Sequence, residues 1–255
     1  MSSPSSILFV AVILYLCAKF SESLERRVFG GTEAEDAEFP YQVSLKFLQK
    51  YICGGSIINE KTVLTAAHCF LGVDKLTVTA GTNTIAGGGE QYESERLIGH
   101  DKYSTLSKLN DIGLVILDRC LLFGRRVQPI RLEHNYVNPG GYCSVSGWGE
   151  TENGMAQNLQ KIVLKTIGED DCNIRFIEAG CKTGCNVNEK HVCTLGKKGQ
   201  GLCRGDSGGP LTSNDKQIGV VSWGLKFCDG GHPNVYVRVS AYIDWINQHL
   251  HHCDK

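Results

Sequence analysis

The sequence has almost no excess charge: 26 Lys and Arg stand against 27 Asp and Glu, for a net charge of −1. That balance gives no electrostatic footing for nucleic acid or for an anionic membrane surface. Long basic runs are missing, and the "GRR" at 124–126 reads as solvated surface. A bilayer-spanning apolar run is missing too. The stretch "ILFVAVILYLCA" at 7–18 is short for a membrane span and has the length of a signal-peptide core. No N-x-[ST] sequon occurs, so N-glycosylation is not expected. Internal repeats and low-complexity linkers are absent.

What is present is ordinary globular material, 42% hydrophobic and 21% charged, which is unlike a disordered chain. Small residues Ala18, Ser21 and Ser23 follow the apolar run, so residues 1–23 read as a signal peptide cleaved between 18 and 23. The run lacks the usual preceding basic residue, and the competing reading is a buried N-terminal strand or helix. Secretion to the extracellular space is the expectation. The cysteines agree with it. Of twelve, Cys17 lies in the signal and eleven are scattered beyond it, as for disulfides in an oxidising compartment. Cys181, Cys185, His191 and Cys193 could instead be read as a zinc site, though their spacing is loose.

From Tyr41 onward, short apolar alternations are separated by turn residues. Tyr41, Val43, Leu45 and Phe47 alternate, as do Leu76, Val78 and Ala80, and later Val235, Val237 and Val239. With thirty glycines for turns, this period of two predicts an all-β protein of barrels or sandwiches. One helix is expected at the end, with Ser240 as N-cap and Ile243, Ile246 and Leu250 on one face. Setting aside residues 1–27 leaves 228 residues, room for two small barrels.

Three stretches carry chemistry. "GDSGGP" (205–210) sets Ser207 among glycines that let backbone amides turn toward a substrate oxygen. A serine hydroxyl needs a base, and the base an orienting group. "LTAAHC" (64–69) offers His68, and "LNDIGLVIL" (109–117) places Asp111 at the head of an apolar run. Each of the last two alone is commonly structural; their combination with "GDSGGP" in His–Asp–Ser order is specific.

With "VFGG", "YQVSL", "CGGSII", "SGWG", "VSWG" and "PNVYVRV", the chain resembles the trypsin/chymotrypsin family of serine proteases across essentially all of residues 28–250, and is most like insect chymotrypsin-like enzymes. The resemblance implies two six-stranded antiparallel β-barrels with a C-terminal α-helix. It implies a Ser207 nucleophile, a His68 base oriented by Asp111, and an oxyanion hole from the N–H groups of Gly205 and Ser207. Ser222, Trp223 and Gly224 would pair with substrate backbone. It also makes residues 24–27 a short propeptide before a protease domain at 28–255. Cleavage after Arg27 would free the Val28 amine to pair with Asp206; Phe29 departs from the small β-branched residue common there.

Implied disulfides are Cys53–Cys69, Cys172–Cys193 and Cys203–Cys228. Cys143 matches a family cysteine whose mate falls at Ser213, so it is expected to lack that partner. Cys181 and Cys185 sit in an enlarged loop beside the cleft, and Cys120 with Cys253 is a further candidate pair. The loop after Gly81 lacks the first carboxylate of the family's calcium loop, and no metal or cofactor is expected. Partners implied are protein or peptide substrates, an activating trypsin-like protease and protein protease inhibitors, with a monomeric enzyme.

Specificity turns on Gly201, six residues before Ser207, where an aspartate would select Arg or Lys. Gly201 brings no charge, Leu202 adds apolar surface, Gly224 leaves one wall open and Asn234 narrows the other. Cleavage after Leu, Phe, Tyr or Met is the expectation. Trypsin-like specificity through Asp229, elastase-like specificity and a non-catalytic homologue that acts as a binding protein remain alternatives.

Overall fold

In the computed structural model, residues 30–225, 228 and 230–253 are described. The expected signal peptide, Arg27, Val28 and Asp229 lie outside the described residues. "QVSLKF" begins the first barrel as β2 (Gln42–Phe47), after the short strand β1 (Thr32–Glu33). Val43 and Leu45 point into the core, but the alternate Gln42, Ser44 and Lys46 are buried as well. The polar face is covered because the second barrel lies against it. Ser146 donates to Gln42 Oε1 at 2.7 Å, and Ser56 donates to Gln217 Oε1 at 2.7 Å. Buried side-chain pairs of this kind are satisfied on both partners, so the barrel interface is polar without being costly.

The first barrel closes in the order β2–β3 (Lys50–Ile57)–β4 (Thr62–Thr65)–β7 (Gly113–Leu117)–β6 (Glu90–Gly99)–β5 (Thr77–Ala80) and back to β2. Val43, Leu45, Ile57, Leu64, Val78, Leu114 and Ile116 fill it. The second barrel runs β9 (Tyr142–Gly147)–β12 (Gln160–Ile167)–β13 (His191–Leu195)–β16 (Pro233–Arg238)–β15 (Lys216–Gly224)–β14 (Pro210–Ser213). Pairing of β14 with β9 closes it. β12 shows the barrel alternation cleanly, with Ile162 and Leu164 inside and Val163 exposed. Two six-stranded antiparallel barrels therefore make up the molecule. β1 extends the second sheet, β8 (Arg131–Leu132) lies parallel to β15, and β10 (Glu150–Thr151) and β11 (Gly154–Met155) form a small hairpin.

Two helical details differ from the sequence reading. The enlarged loop begins with a helix, α1 (Glu169–Glu178), whose buried residues are Cys172 and Phe176, one turn apart. The terminal helix α2 (Ile243–Gln248) starts later than expected. Ser240 lies inside a preceding 3₁₀ turn (Val239–Ala241), and Tyr242 occupies the cap without a side-chain capping bond. Ile246 and Tyr242 are buried against the first barrel's core, and the Cys120–Cys253 disulfide ties the chain beyond α2 to the segment after β7. Among the described residues no helix is long and apolar enough to cross a membrane.

Candidate active site

The site lies where the two barrels meet. β4 ends at Thr65 and passes into a 3₁₀ turn, Ala67–Phe70, that carries His68. The next residue, Cys69, is bonded to Cys53 on β3, which fixes the turn to its own barrel. Asp111 stands just before β7 and is 2% exposed. Its preceding residue, Asn110, has a φ of 57° and is held by the Tyr242 hydroxyl, which donates to Asn110 Oδ1 at 2.9 Å. The carboxylate of Asp111 accepts from three donors: the His68 backbone N–H at 2.9 Å, His68 Nδ1 at 2.7 Å and Ser222 Oγ at 2.5 Å. An ionised carboxylate only accepts, so the proton of the imidazole sits on Nδ1 and the lone pair is left on Nε2.

Ser207 lies in the loop that leads into β14. Gly54 N–H of the first barrel donates to its carbonyl at 2.8 Å, and the following Gly208 N–H donates to Val221 O of β15 at 2.8 Å. Gly208 has a φ of +75°, and a Cβ there would overlap Thr65 and Gly54. Glycine at this position thus lets the serine loop reach the strand end from which His68 projects. Among the described residues no hydrogen bond is made by the Ser207 hydroxyl; such contacts are commonly long without substrate and tighten in the complex.

Asp206 is 1% exposed. It accepts from Gly149 N–H at 2.9 Å and from Cys203 N–H at 3.0 Å. Burial pushes its carboxyl up to about 6, against the lowering effect of those two bonds. Gly147 and Gly149 of "SGWG" press on this carboxylate so closely that a Cβ at either would collide with it. Among the described residues no cation pairs with it. Next to it, Gly205 adopts a φ of 96°, and its carbonyl accepts a 2.6 Å bond from the hydroxyl of Tyr51 on β3. Tyr51 is a residue that no sequence motif marked.

A cavity of about 200 Å³ opens beside Ser207. Leu202, Ser222, Trp223, Gly224, Leu225 and Asn234 contribute to its walls, with Arg204 also lining it. No carboxylate lines it among the described residues. Gly201 does not line it, and a Cβ there would sit 3.1 Å from Cys228 O and 3.3 Å from Gly230 N. Leu202, expected to add apolar surface, lines the cavity. Val221 and Cys228 also line the cavity and were missed in the sequence, since their roles arise only from strand pairing and the Cys203–Cys228 bond.

Four of the remaining cysteines form pairs. Cys172 joins Cys193, and Cys181 joins Cys185 across the enlarged loop. The three cysteines of the set read as a possible zinc site are therefore consumed by disulfides. Cys143 is free and buried, with its thiol pushed up to about 12 by desolvation. Ser213, which stands where its mate would be, donates instead to Tyr142 O at 3.0 Å.

The Trypsin family profile matches residues 28–246. The chain is 38% identical over 226 residues to Chymotrypsin-2 of Vespa crabro, covering 87% of this chain and 99% of that one. It is 34% identical over 230 residues to Trypsin Blo t 3 of Blomia tropicalis, covering 87% and 85%. It is also 33% identical over 229 residues to Trypsin 5G1 of Aedes aegypti, covering 87% and 84%. With this fold, this site and these matches, the chain belongs to the trypsin family of serine proteases.

Proposed function

We propose that the protein is a secreted serine endopeptidase, made as an inactive precursor, that cleaves after Leu, Phe, Tyr or Met. The observation that carries the specificity is the cavity beside Ser207, where Leu202, Trp223 and Leu225 supply apolar wall and no carboxylate lines it among the described residues. Burying an unpaired Lys or Arg head there costs several kcal/mol, and Arg204 at the cavity adds repulsion. An apolar or aromatic side chain gains ~1.5–3 kcal/mol by the same burial. The relatives bear both chymotrypsin and trypsin names, so the cavity carries the argument.

In this reading Ser207 attacks the peptide carbonyl while His68 Nε2 takes the hydroxyl proton and then returns it to the leaving amine. Asp111 holds the Nδ1 tautomer and stabilises the imidazolium. The N–H groups of Gly205 and Ser207 receive the oxyanion. Ser222–Gly224 is suited to pair with substrate, because β14 pairs with β15 only as far as Val220 and leaves that edge open.

Activation follows from Asp206. A carboxylate this deeply buried calls for a cation, and cleavage between Arg27 and Val28 would supply one as the new amino terminus. The test is a cleavage profile of the activated protein on a mixed peptide library, with Ser207→Ala as control and N-terminal sequencing of the active species. Cuts after apolar residues by a chain beginning at Val28 are expected. Full activity in a chain that retains residues 24–27 would overturn the activation step, and cuts after Arg would overturn the pocket assignment.

A further inference from the structure

Past Trp223 the structure holds a second, larger cleft of about 560 Å³ that shares Trp223 and Gly224 with the cavity beside Ser207. The segment Leu106–Leu109 forms one wall, and the Cys181–Cys185 loop forms the other. The two walls approach at one point, where a Cβ on Gly184 would lie 3.4 Å from Leu106 O. The disulfide keeps this short loop standing as a wall.

Lys108 is the one charged side chain lining the cleft among the described residues. Its backbone is held in place: φ is 56°, and its N–H donates to Ser104 O at 2.7 Å. The ring of the buried His191 also hydrogen-bonds the Lys108 backbone. From there Nζ extends over the Trp223 ring, 5.9 Å from its centroid. No acidic side chain pairs with Lys108 among the described residues. An ammonium held over an aromatic face, in a cleft without a counter-charge, presents a site for an anion.

The occupant follows from continuity with the cavity. A substrate residue seated beside Ser207 must turn its carbonyl toward that serine. The chain that runs away from Ser207 along Ser222–Gly224 is therefore the amino-terminal side of the substrate, and it leads into this cleft. We propose that Lys108 makes the cleft a subsite for an acidic side chain, located upstream of the residue held in the primary cavity. The inference rests on the reading of Ser207 as nucleophile and of Ser222–Gly224 as the substrate-pairing edge. It adds a substrate class: peptides that carry Asp or Glu a few residues before an apolar cleavage position.

The test uses the activated enzyme and peptides with Leu fixed before the cut and Asp, Ala or Lys placed two, three or four positions earlier. The ratio of kcat/KM for Asp over Lys peptides is compared within the native enzyme, Lys108→Gln and Lys108→Glu. A partly exposed ion pair predicts a ratio of about three to five at one position in low salt, shrinking as salt rises. The ratio falls to near one in Lys108→Gln and inverts in Lys108→Glu. A ratio near one in the native enzyme, or one that survives charge reversal, overturns the proposal. A peptide with Leu before the cut and Ala at every upstream position separates the two layers. If the native enzyme fails to cut it, the reading of Ser207 and its cavity fails, and the subsite falls with it.

Discussion

The Tyr51 hydroxyl donates a 2.6 Å hydrogen bond to the carbonyl of Gly205, and so ties a strand of the first barrel to the glycine whose N–H is assigned to the oxyanion hole. Tyr51 also packs edge-on against Trp148, with ring centroids 6.1 Å apart, which fixes where its hydroxyl points. Gly205 has no side chain to anchor it and sits at positive φ, so this bond supplies the restraint.

Tyr51→Phe should therefore lower kcat by about three- to tenfold with little change in KM, the worth of one net hydrogen bond. Steady-state kinetics on one small substrate checks this. A purely structural role would instead lower the unfolding midpoint and leave kcat of the folded fraction intact.

His191 gives the protein an acid-sensitive element. Burial pushes its pKa down to about 4, and Asn188 N–H lies 3.2 Å from Nδ1. Backbone hydrogen bonds to Asn188 and Lys108 oppose this shift, Arg238 adds to it, Glu189 opposes it, and the Trp223 ring lies edge-on. The unfolded chain takes up this proton near 6.5 and the folded chain only near 4, so the contribution is full above 6.5 and declines as pH falls through that window. The loss has a slope of up to about 1.4 kcal/mol per pH unit. His191→Gln should flatten this part of the stability profile, as measured by denaturant unfolding at pH 7, 5.5 and 4.5. An unchanged slope would show that His191 does not carry it.

Cys143 should be the single free thiol of the protein once residues 1–23 are removed. Its thiol is 3% exposed and bonded to Leu164 O at 3.4 Å. Native protein should resist a thiol reagent, and denatured, unreduced protein should take up one label per chain. The register Leu211↔Val145 and Thr212↔Ser144 brings Ser213 opposite Cys143. Ser213→Cys should thus abolish the label and stabilise the protein by about 2–4 kcal/mol. Two labels per chain in that variant would argue against the register.

Much of this was legible in the sequence because the relevant residues lie in short motifs with local grammar. His68 precedes a disulfide cysteine, Asp111 opens an apolar strand, and the glycines around Ser207 allow the close backbone approach that the fold requires. Period-two alternation gave away the strands, and it under-reported burial only where the barrels meet, as at Gln42 and Ser44. The misses have physical causes. Tyr51 acquires its role from a contact 154 residues away, which no local pattern encodes. Helix α1 was hidden because "EDDCNIRFIE" buries only Cys172 and Phe176 and is otherwise polar. The position of Gly201 marked the right neighbourhood: Leu202, expected to add apolar surface, lines the cavity, and a Cβ on Gly201 would sit tightly against the backbone of Cys228 and Gly230.

The central claim is that a Ser207-centred protease works through a primary cavity that no carboxylate lines among the described residues. It is tested most directly by kcat/KM of the activated enzyme on two peptides that differ only in Phe or Arg before the cut. The cost of burying an unpaired guanidinium predicts a preference for Phe of at least about a hundredfold, abolished for both peptides in Ser207→Ala. Equal rates, or faster cleavage after Arg, would contradict the account.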